Sequence, residues 1–388
     1  MRPLSSGRDR EPRLTVVGIP GNRRTTLFQD AVRAAGLPPA REVSWLDVLR
    51  GRAGFAAGET VRIDSPGEDP EVDRLLRGAE DSTRVEGTGR WYERFTAAAR
   101  ELGERARGAG AELLDDPEEL AVLFDKRLCH GVLDAAGVAV PESPTSGADA
   151  PAVHGWDDVR ALMAGAGLRR AFVKIAHGSS ASGVLAVQIA GPGRVRATTS
   201  VERDAAGRLY NSLRVRTYTG ERAVAAIVDT LAPDGLHIER WLAKGTVDGR
   251  SADLRVVVVA GRATHTVVRT SRSPMTNLHL GGARGDLDAV RAETEASGGS
   301  WSAALALCEQ AADCFPGTHC VGVDLMPSSD WRRFSVCEVN AFGDLLPRLT
   351  GLPGSGAEGL DTYAAQLAAL PRRAARAPEE GVACRAPR

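Results

Sequence analysis

No apolar run in these 388 residues approaches the roughly 20 needed to cross a bilayer, so a membrane-spanning helix is excluded. The opening MRPLSSGRDREPR lacks the apolar stretch of a signal peptide and reads as a disordered leader, which makes the cytoplasm the expected location. The net charge of −1 gives no bulk attraction to nucleic acid or to a membrane surface. The six cysteines, Cys129, Cys308, Cys314, Cys320, Cys337 and Cys384, form no C-x-x-C pair, which argues against a zinc site. In a cytosolic chain they read as reduced, and mostly as small buried hydrophobes. The turn after the first apolar run lacks G-x-G-x-x-G, and no glycine-rich loop ends in Gly-Lys-Ser/Thr. A dinucleotide fingerprint and a Walker A loop are therefore both missing. No internal repeat is visible.

What is present is an ordinary globular composition, 43% hydrophobic and 26% charged, over a length that calls for two or three domains. Residues 14–19 form a short apolar run, followed by Pro-Gly-Asn-Arg-Arg and by residues 25–37 with apolar positions at helical spacing. Strand, turn and helix in that order predict an open α/β sheet. Residues 41–49 read as the next strand and turn, and 91–108 as a helix. A boundary is expected near 115–117. Residues 117–138 then read as a long helical stretch, as one helix or two, and 155–168 as a further helix. Residues 171–176 and 183–190 read as strands joined by a loop of small residues, with two more strands at 194–204 and 208–219. Residues 235–243 and 253–269 read as strands of a second sheet. A helix at 301–315, paired strands at 320–327 and 334–341, and a closing helix at 359–370 complete the chain.

Four separated segments carry chemistry. The first is the strand pair at 320–341. Residues two apart on a strand face the same side, so Glu338 and Asn340 point together, and strand pairing can bring Asp324 beside them. Two carboxylates and an amide oxygen are hard ligands suited to Mg2+ carrying nucleotide phosphates. The apolar neighbours Val323, Leu325, Val336 and Val339 argue for a mostly buried hairpin, where unpaired charges are costly. In the second segment, Lys174 ends an apolar run before Gly178, Ser179, Ser180, Ser182 and Gly183. Small residues there let backbone N–H groups approach phosphate oxygens, and the lysine side chain is free to point into a cleft. The third segment holds Glu239, Arg240 and Trp241, then Asp253 and Arg255 on one face of the next strand; Trp241 offers a base an apolar flank. The fourth holds Arg269 and Arg272, which can pair bidentately with phosphate or carboxylate, and Asn277 before Gly281 and Gly282.

Taken in order, DKRLCHGVLDAAGVAVP, FVKIAHGSSASGV, IERWL, DLRVVVVAG, NLHLGG, GVDLM and CEVNAFG resemble the ATP-grasp superfamily, most closely the ribosomal-protein glutamate ligases (RimK-type) and their amino-acid-ligase relatives. These pieces run from Asp125 to Gly343, a little over half the chain. The resemblance implies an α/β protein with a leader at 1–13 and an N-terminal open-sheet pre-ATP-grasp domain at 14–115. A central lid domain at 116–190, a C-terminal ATP-grasp domain at 191–370 and a flexible tail at 371–388 would follow. It implies that Lys126 and Lys174 touch the phosphates of ATP and that residues 178–183 form a phosphate-covering loop. Glu239, Arg240, Trp241 and Leu242 would form the hinge whose backbone meets adenine, and Asp253 would reach the ribose. Asn277 would lie near the phosphates and metal, and Arg269 near the transferred phosphoryl and acyl groups. Asp324, Glu338 and Asn340 would hold Mg2+, with Mn2+ as a substitute.

The implied activity is ATP-dependent joining of a carboxylate to an amine, with ADP and phosphate released. The acid and acceptor would be small molecules or peptides, and a homodimer is an option. A catalytically inactive nucleotide-binding regulator and an ATP-grasp kinase are the alternatives. The sequence departs from the ribosomal-protein ligases at Met275, where they carry an arginine, and at Arg240, where they carry an acid. The stretch 191–235 is also longer than theirs.

Overall fold

The computed structural model describes residues 12–79, 81–178, 182–191 and 193–370. The expected leader up to residue 11, the tail from 371, and Ser179 and Ser180 of the loop lie outside the described residues.

The chain opens with β1 (Arg13–Gly18), α1 (Arg23–Ala34), β2 (Arg41–Ser44), α2 (Trp45–Leu49), β3 (Glu59–Ile63), α3 (Pro70–Arg77), α4 (Thr88–Gly108) and β4 (Glu112–Leu113). The strands form a parallel sheet in the order β2-β1-β3-β4. Val16 and Val17 point to opposite faces of β1 and neither has any exposure, because α1 covers one face and α2 to α4 the other. α1 starts where it does because the Asn22 side chain accepts the N–H of Thr25; Asp69 and the following proline do the same for α3.

Next come α5 (Pro117–Leu123), α6 (Lys126–Ala135), α7 (Trp156–Gly165), β5 (Arg170–Ile175), β6 (Val184–Ile189), β7 (Val195–Arg203), β8 (Leu209–Thr219), α8 (Glu221–Leu231) and β9 (Leu236–Arg240). The helical stretch after residue 117 is two helices, because extended Asp125 caps α6 by accepting the N–H groups of Arg127 and Leu128. The five strands form an antiparallel sheet in the order β8-β7-β6-β5-β9. Ala171, Val173, Ile175, Leu185 and Val187 pack with residues of α7 and α8, and the alternate positions Phe172, Lys174, Val184 and Ala186 face the other way. This sheet overturns two expectations. β9 joins it beside β5 instead of the second sheet, with Phe172 opposite Glu239 and Lys174 opposite His237. The boundary after residue 190 consequently runs through a sheet. Alternation marks a strand but does not name its partner.

The last sheet collects β10 (Thr246–Val247), β11 (Arg250–Val259), β12 (Arg262–Ser271), β13 (Ala283–Arg284), β14 (Cys320–Pro327) and β15 (Phe334–Ala341) in the order β13-β12-β11-β14-β15, with β10 on β11. α9 (Leu287–Ala296) and α10 (Trp301–Asp313) cover one face, where Ala304, Cys308 and Ala311 meet Leu254, Val256 and Val323. The other face carries the charged residues described below. α11 (Thr362–Ala368) returns to the first sheet, with Tyr363 edge-on to Phe28 at 5.8 Å. No described helix is long and apolar enough to cross a membrane.

Candidate active site

The face of the five-stranded sheet bearing Phe172 and Lys174 looks across a narrow cleft at β14 and β15. Lys126, the first residue of α6, lines that cleft. Its Nζ donates to Glu338 Oε1 at 2.9 Å and to the carbonyl of Gly178 at 2.6 Å. One ammonium thus ties the start of the glycine–serine loop to a carboxylate of the opposite sheet. Gly178 fits there because a Cβ would fall 2.5 Å from the Ile175 side chain, and Gly183 closes the loop in the left-handed region at φ +65.

Lys174 departs from its sequence-based expectation. Its side chain is 7% exposed and its Nζ lies 2.6 Å from Glu239 Oε1, itself on a side chain only 2% exposed. The sequence hides this pair because it is diagonal across two strands whose pairing is not written in either. Burial works against the Lys174 charge, but the carboxylates of Glu239 and Glu338 help to outweigh it and hold the pKa above the usual lysine value. Burial likewise opposes the Glu239 charge, and Lys174 and His237 overcome it, holding the carboxyl at about 2. His237, 3.5 Å from Glu239, is pushed down chiefly by burial. A carboxyl lowered in the folded state contributes stability above its ordinary pKa of 4.5, and that contribution is lost as pH falls toward about 2. The thermal midpoint measured across that window should therefore fall less steeply in Glu239→Gln than in the parent.

β14 and β15 place Asp324 opposite Glu338 and Gly322 opposite Asn340. The register shifts between Asp324 and Leu325, leaving Cys337 as an extra residue on β15. This bulge is why Cys337 and Glu338, neighbours in sequence, both line the cleft. Burial raises the Cys337 thiol to about 12, so it stays protonated at neutral pH and is no nucleophile.

Asp324 is gripped by two guanidiniums. Arg255 donates from Nε at 2.6 Å and Nη2 at 3.2 Å, and Arg269 Nη2 lies 3.0 Å away. Burial raises the Asp324 pKa, but the two arginines outweigh it and hold the carboxyl below its usual range. Arg269 also donates from Nε to Asp253 at 2.8 Å; Asp253 further takes Lys244 Nζ at 2.9 Å and the Thr276 hydroxyl. Arg255 reaches on to Asp344 at 3.3 Å. Alternating charges thus run from Lys244 through Asp253, Arg269, Asp324 and Arg255 to Asp344.

The donor set fits a hard divalent cation. Asp324, Glu338 and Asn340 offer only oxygen, on paired strands, and Glu338 retains 24% exposure toward the cleft. Among the described residues no group of three or more His, Cys, Asp or Glu is placed to hold a metal ion, and this set reaches three members only with the Asn340 amide.

Other expected residues sit apart from this centre. Arg240 sends both its backbone N–H and its guanidinium to Glu142. Trp241 lies tilted beside Phe172, ring centroids 5.4 Å apart, with the Arg170 guanidinium 4.7 Å from its ring. Leu242 and Asn277 are half-buried, and the Asn277 carbonyl accepts the N–H groups of Leu280 and Gly282. Arg272 is exposed. Met275 is 4% exposed and packs with Phe172, Val184, Ala186 and Leu280, an apolar seam joining the two halves of the cleft. Met275→Arg would bury an unpaired charge there and should cost on the order of 2 kcal/mol or more of stability, read by denaturant unfolding.

Sequence reasoning left Lys244, His237 and Asp344 out of the site and gave Arg255 no role in it. For Lys244 a signal existed. The chain has three lysines, Lys126, Lys174 and Lys244, and every other basic side chain except histidine is arginine. Lys126 and Lys174 line this cleft and Lys244 pairs with Asp253, with side chains 12%, 7% and 9% exposed in turn. A chain that uses arginine everywhere else keeps lysine where a compact ammonium is wanted.

No family model matches the sequence, and no curated protein matches it. Among solved structures the chain is similar to ATP-grasp ligase PsnB complexed with a phosphomimetic variant of minimal precursor, Mg and ADP. That match has 16% identity and a TM-score of 0.54, and covers 94% of this chain and 99% of that one. A second PsnB structure, with minimal precursor, Mg and ADP, matches at 17% identity and a TM-score of 0.52 over 93% of this chain and 96% of that one. The fold is thus that of the ATP-grasp ligases. The likeness does not single out the ribosomal-protein glutamate ligase branch.

Proposed function

We propose that this protein is an ADP-forming carboxylate–amine ligase that works through an acyl phosphate. The observation that carries the proposal is Lys126, whose one ammonium joins the phosphate-loop carbonyl of Gly178 to Glu338 of the candidate metal set. Its support is the ATP-grasp fold around it.

In this reading Lys126 and Lys174 neutralise the phosphates, and residues 178–183 cover them. The hinge from Glu239 through Arg240, Trp241 and Leu242 holds the base, and Asp253 holds the ribose. Asn277 lies near the phosphates, and Asp324, Glu338 and Asn340 hold Mg2+ or Mn2+. The bound metal would neutralise charge on the transferred phosphoryl group. A substrate carboxylate oxygen attacks the γ-phosphorus, the bond to the β,γ-bridging oxygen breaks, and ADP leaves. Arg269 faces the acyl phosphate. The amine then attacks the acyl carbon, loses a proton, and expels phosphate. Positioning and charge compensation carry such a transfer, which suits a cleft with paired lysines and arginines and a cysteine held as thiol.

The test is calorimetric titration with a non-hydrolysable ATP analogue, then ADP release over panels of carboxylic acids and amines. Peptides come first, because PsnB is a ligase complexed with a precursor. ADP release that needs both an acid and an amine is the expected result. ADP with a stable phosphorylated product and no amine would make the protein a kinase, and absent nucleotide binding would sink the reading. Light scattering tests the expected homodimer; every site residue named here comes from one chain.

A further inference from the structure

Helix α4 packs on the parallel sheet, yet its start is held by the five-stranded one. The N–H groups of Gly87 and Gly89 donate to the Asp234 carboxylate at 2.8 and 2.9 Å, from the turn just before β9. A carboxylate suits the positive end of a helix. Just ahead of α4, Val85 donates its N–H to the carbonyl of Leu209 on β8. Its side chain has no exposure and packs with Val201 and Leu209 in the core of that sheet. α4 is thus fixed to the five-stranded sheet as well as to its own.

About one turn into α4, Tyr92 lies flat against His177, the residue just before Gly178. The ring centroids are 4.0 Å apart and the planes 13° from parallel. The Tyr92 hydroxyl is itself anchored, donating to the Ala121 carbonyl at 3.0 Å. His177 is enclosed, with its side chain 6% exposed. Its Nδ1 lies 3.2 Å from the Phe124 carbonyl oxygen, which can only accept, so Nδ1 carries the proton. Its Nε2 faces the Asp125 carboxylate at 3.8 Å. Burial, the largest influence on the ring, holds its pKa below the usual histidine value against the pull of Asp125, so the ring is neutral at pH 7.

Phe124 and Asp125 lead directly into Lys126. The Lys126 N–H donates to the Ala176 carbonyl at 3.0 Å and its Nζ to the Gly178 carbonyl at 2.6 Å. Residues 124–126 and 176–178 are therefore laced together by the backbone of Lys126, its ammonium and the ring of His177 between them. His177 is the rung that reaches α4. Without it the Gly178 carbonyl loses a fixed place, and the ammonium that carbonyl aims loses one too. A cation already aimed needs no rearrangement when the charge it serves arrives.

We propose that His177, stacked on Tyr92 of α4 and bonded to the turn before Lys126, is a positioning residue that aims the Lys126 ammonium into the cleft. This rests on the ligase reading only for the ligand that Lys126 meets. With the full chain and Mg2+, a non-hydrolysable ATP analogue and adenosine are titrated calorimetrically into the parent, His177→Leu and His177→Asn. Leucine fills space without a ring or a donor, and asparagine returns a donor near the place of Nδ1. His177→Leu should bind the ATP analogue about tenfold more weakly, less than removing a phosphate-facing cation outright would cost. Its affinity for adenosine, which has no phosphate for Lys126 to meet, should be unchanged, and His177→Asn should recover part of the loss. In turnover, KM for ATP should rise while KM for the acid and the amine stays put. Equal losses for both ligands mark a merely structural role, and they or an unmoved ATP affinity would overturn the proposal. A second measurement needs no nucleotide. Hydrogen exchange in the free protein should show the Lys126 amide about tenfold less protected in His177→Leu. The Ala176 amide, bonded to the Gly235 carbonyl at 2.9 Å, should keep its protection. Unchanged protection at Lys126, or equal loss at both amides, would overturn the proposal whether or not ATP binds. A parent that binds no ATP, with protection lost at Lys126 alone in the variant, would sink the ligase reading and uphold His177 as the support of Lys126.

Discussion

Lys174→Ala is expected to destabilise the fold by about 3–5 kcal/mol, the range for removing one partner of a buried ion pair. Lys174 and Glu239 are 7% and 2% exposed with 2.6 Å between their charged atoms. Truncating the lysine leaves the Glu239 carboxylate in a space walled by Leu123, Leu133, Val140 and Cys337, with His237 beside it. Replacing both partners, Lys174→Met with Glu239→Gln, should restore most of the stability, because a buried pair exchanged for apolar or neutral groups is often close to neutral. Urea unfolding of the three proteins decides the matter. A Lys174→Ala protein as stable as the parent would show that the pair is not buried as described. The folded double variant then isolates binding. Its affinity for an ATP analogue should fall roughly thirtyfold, the equivalent of about 2 kcal/mol for removing a cation that faces phosphate in a partly dry cleft.

Glu338→Gln should leave the protein folded and lower ADP formation by about a hundredfold or more, the usual scale for removing one electrostatic support of a transition state. Glu338 is the carboxylate of choice for this test. It is 24% exposed and its ion pair is with Lys126, so a neutral isostere strands little. Asp324→Asn should lower turnover too, but it also leaves Arg255 and Arg269 facing each other without their shared acid, and stability would fall with it. Comparing thermal midpoints separates the two variants. Near-parental turnover in Glu338→Gln at ordinary Mg2+ would remove Glu338 from the metal set.

The contrast between these acids marks the limit of the sequence. Asp324, Glu338 and Asn340 were legible because strand alternation and hard-ligand chemistry are local. What surrounds each acid was not. Arg255 reaches Asp324 through the pairing of β11 with β14, 69 residues apart in sequence, and Lys126 reaches Glu338 across 212. The bulge that turns Cys337 into the cleft has no sequence mark, since a strand with one extra residue reads as a longer strand. β9 was recognisable as a strand and assigned to the wrong sheet, since its composition suits either neighbour. Among the helices, α1, α4, α7, α10 and α11 were read from apolar spacing and composition, while α3, α8 and α9 were not, although Asp69 stands in the sequence as the cap that the structure uses.

The near-complete burial of all three lysines also determines how the protein meets amine-directed reagents. An acylating label or a lysine cross-linker finds no well-exposed lysine side chain on this protein. Any incorporation at lysine must enter through Lys126, Lys174 or Lys244. Slow labelling at Lys126 and Lys174 is thus a direct read of cleft opening, and a ligand that fills the cleft should suppress it at those two side chains without any assay of turnover.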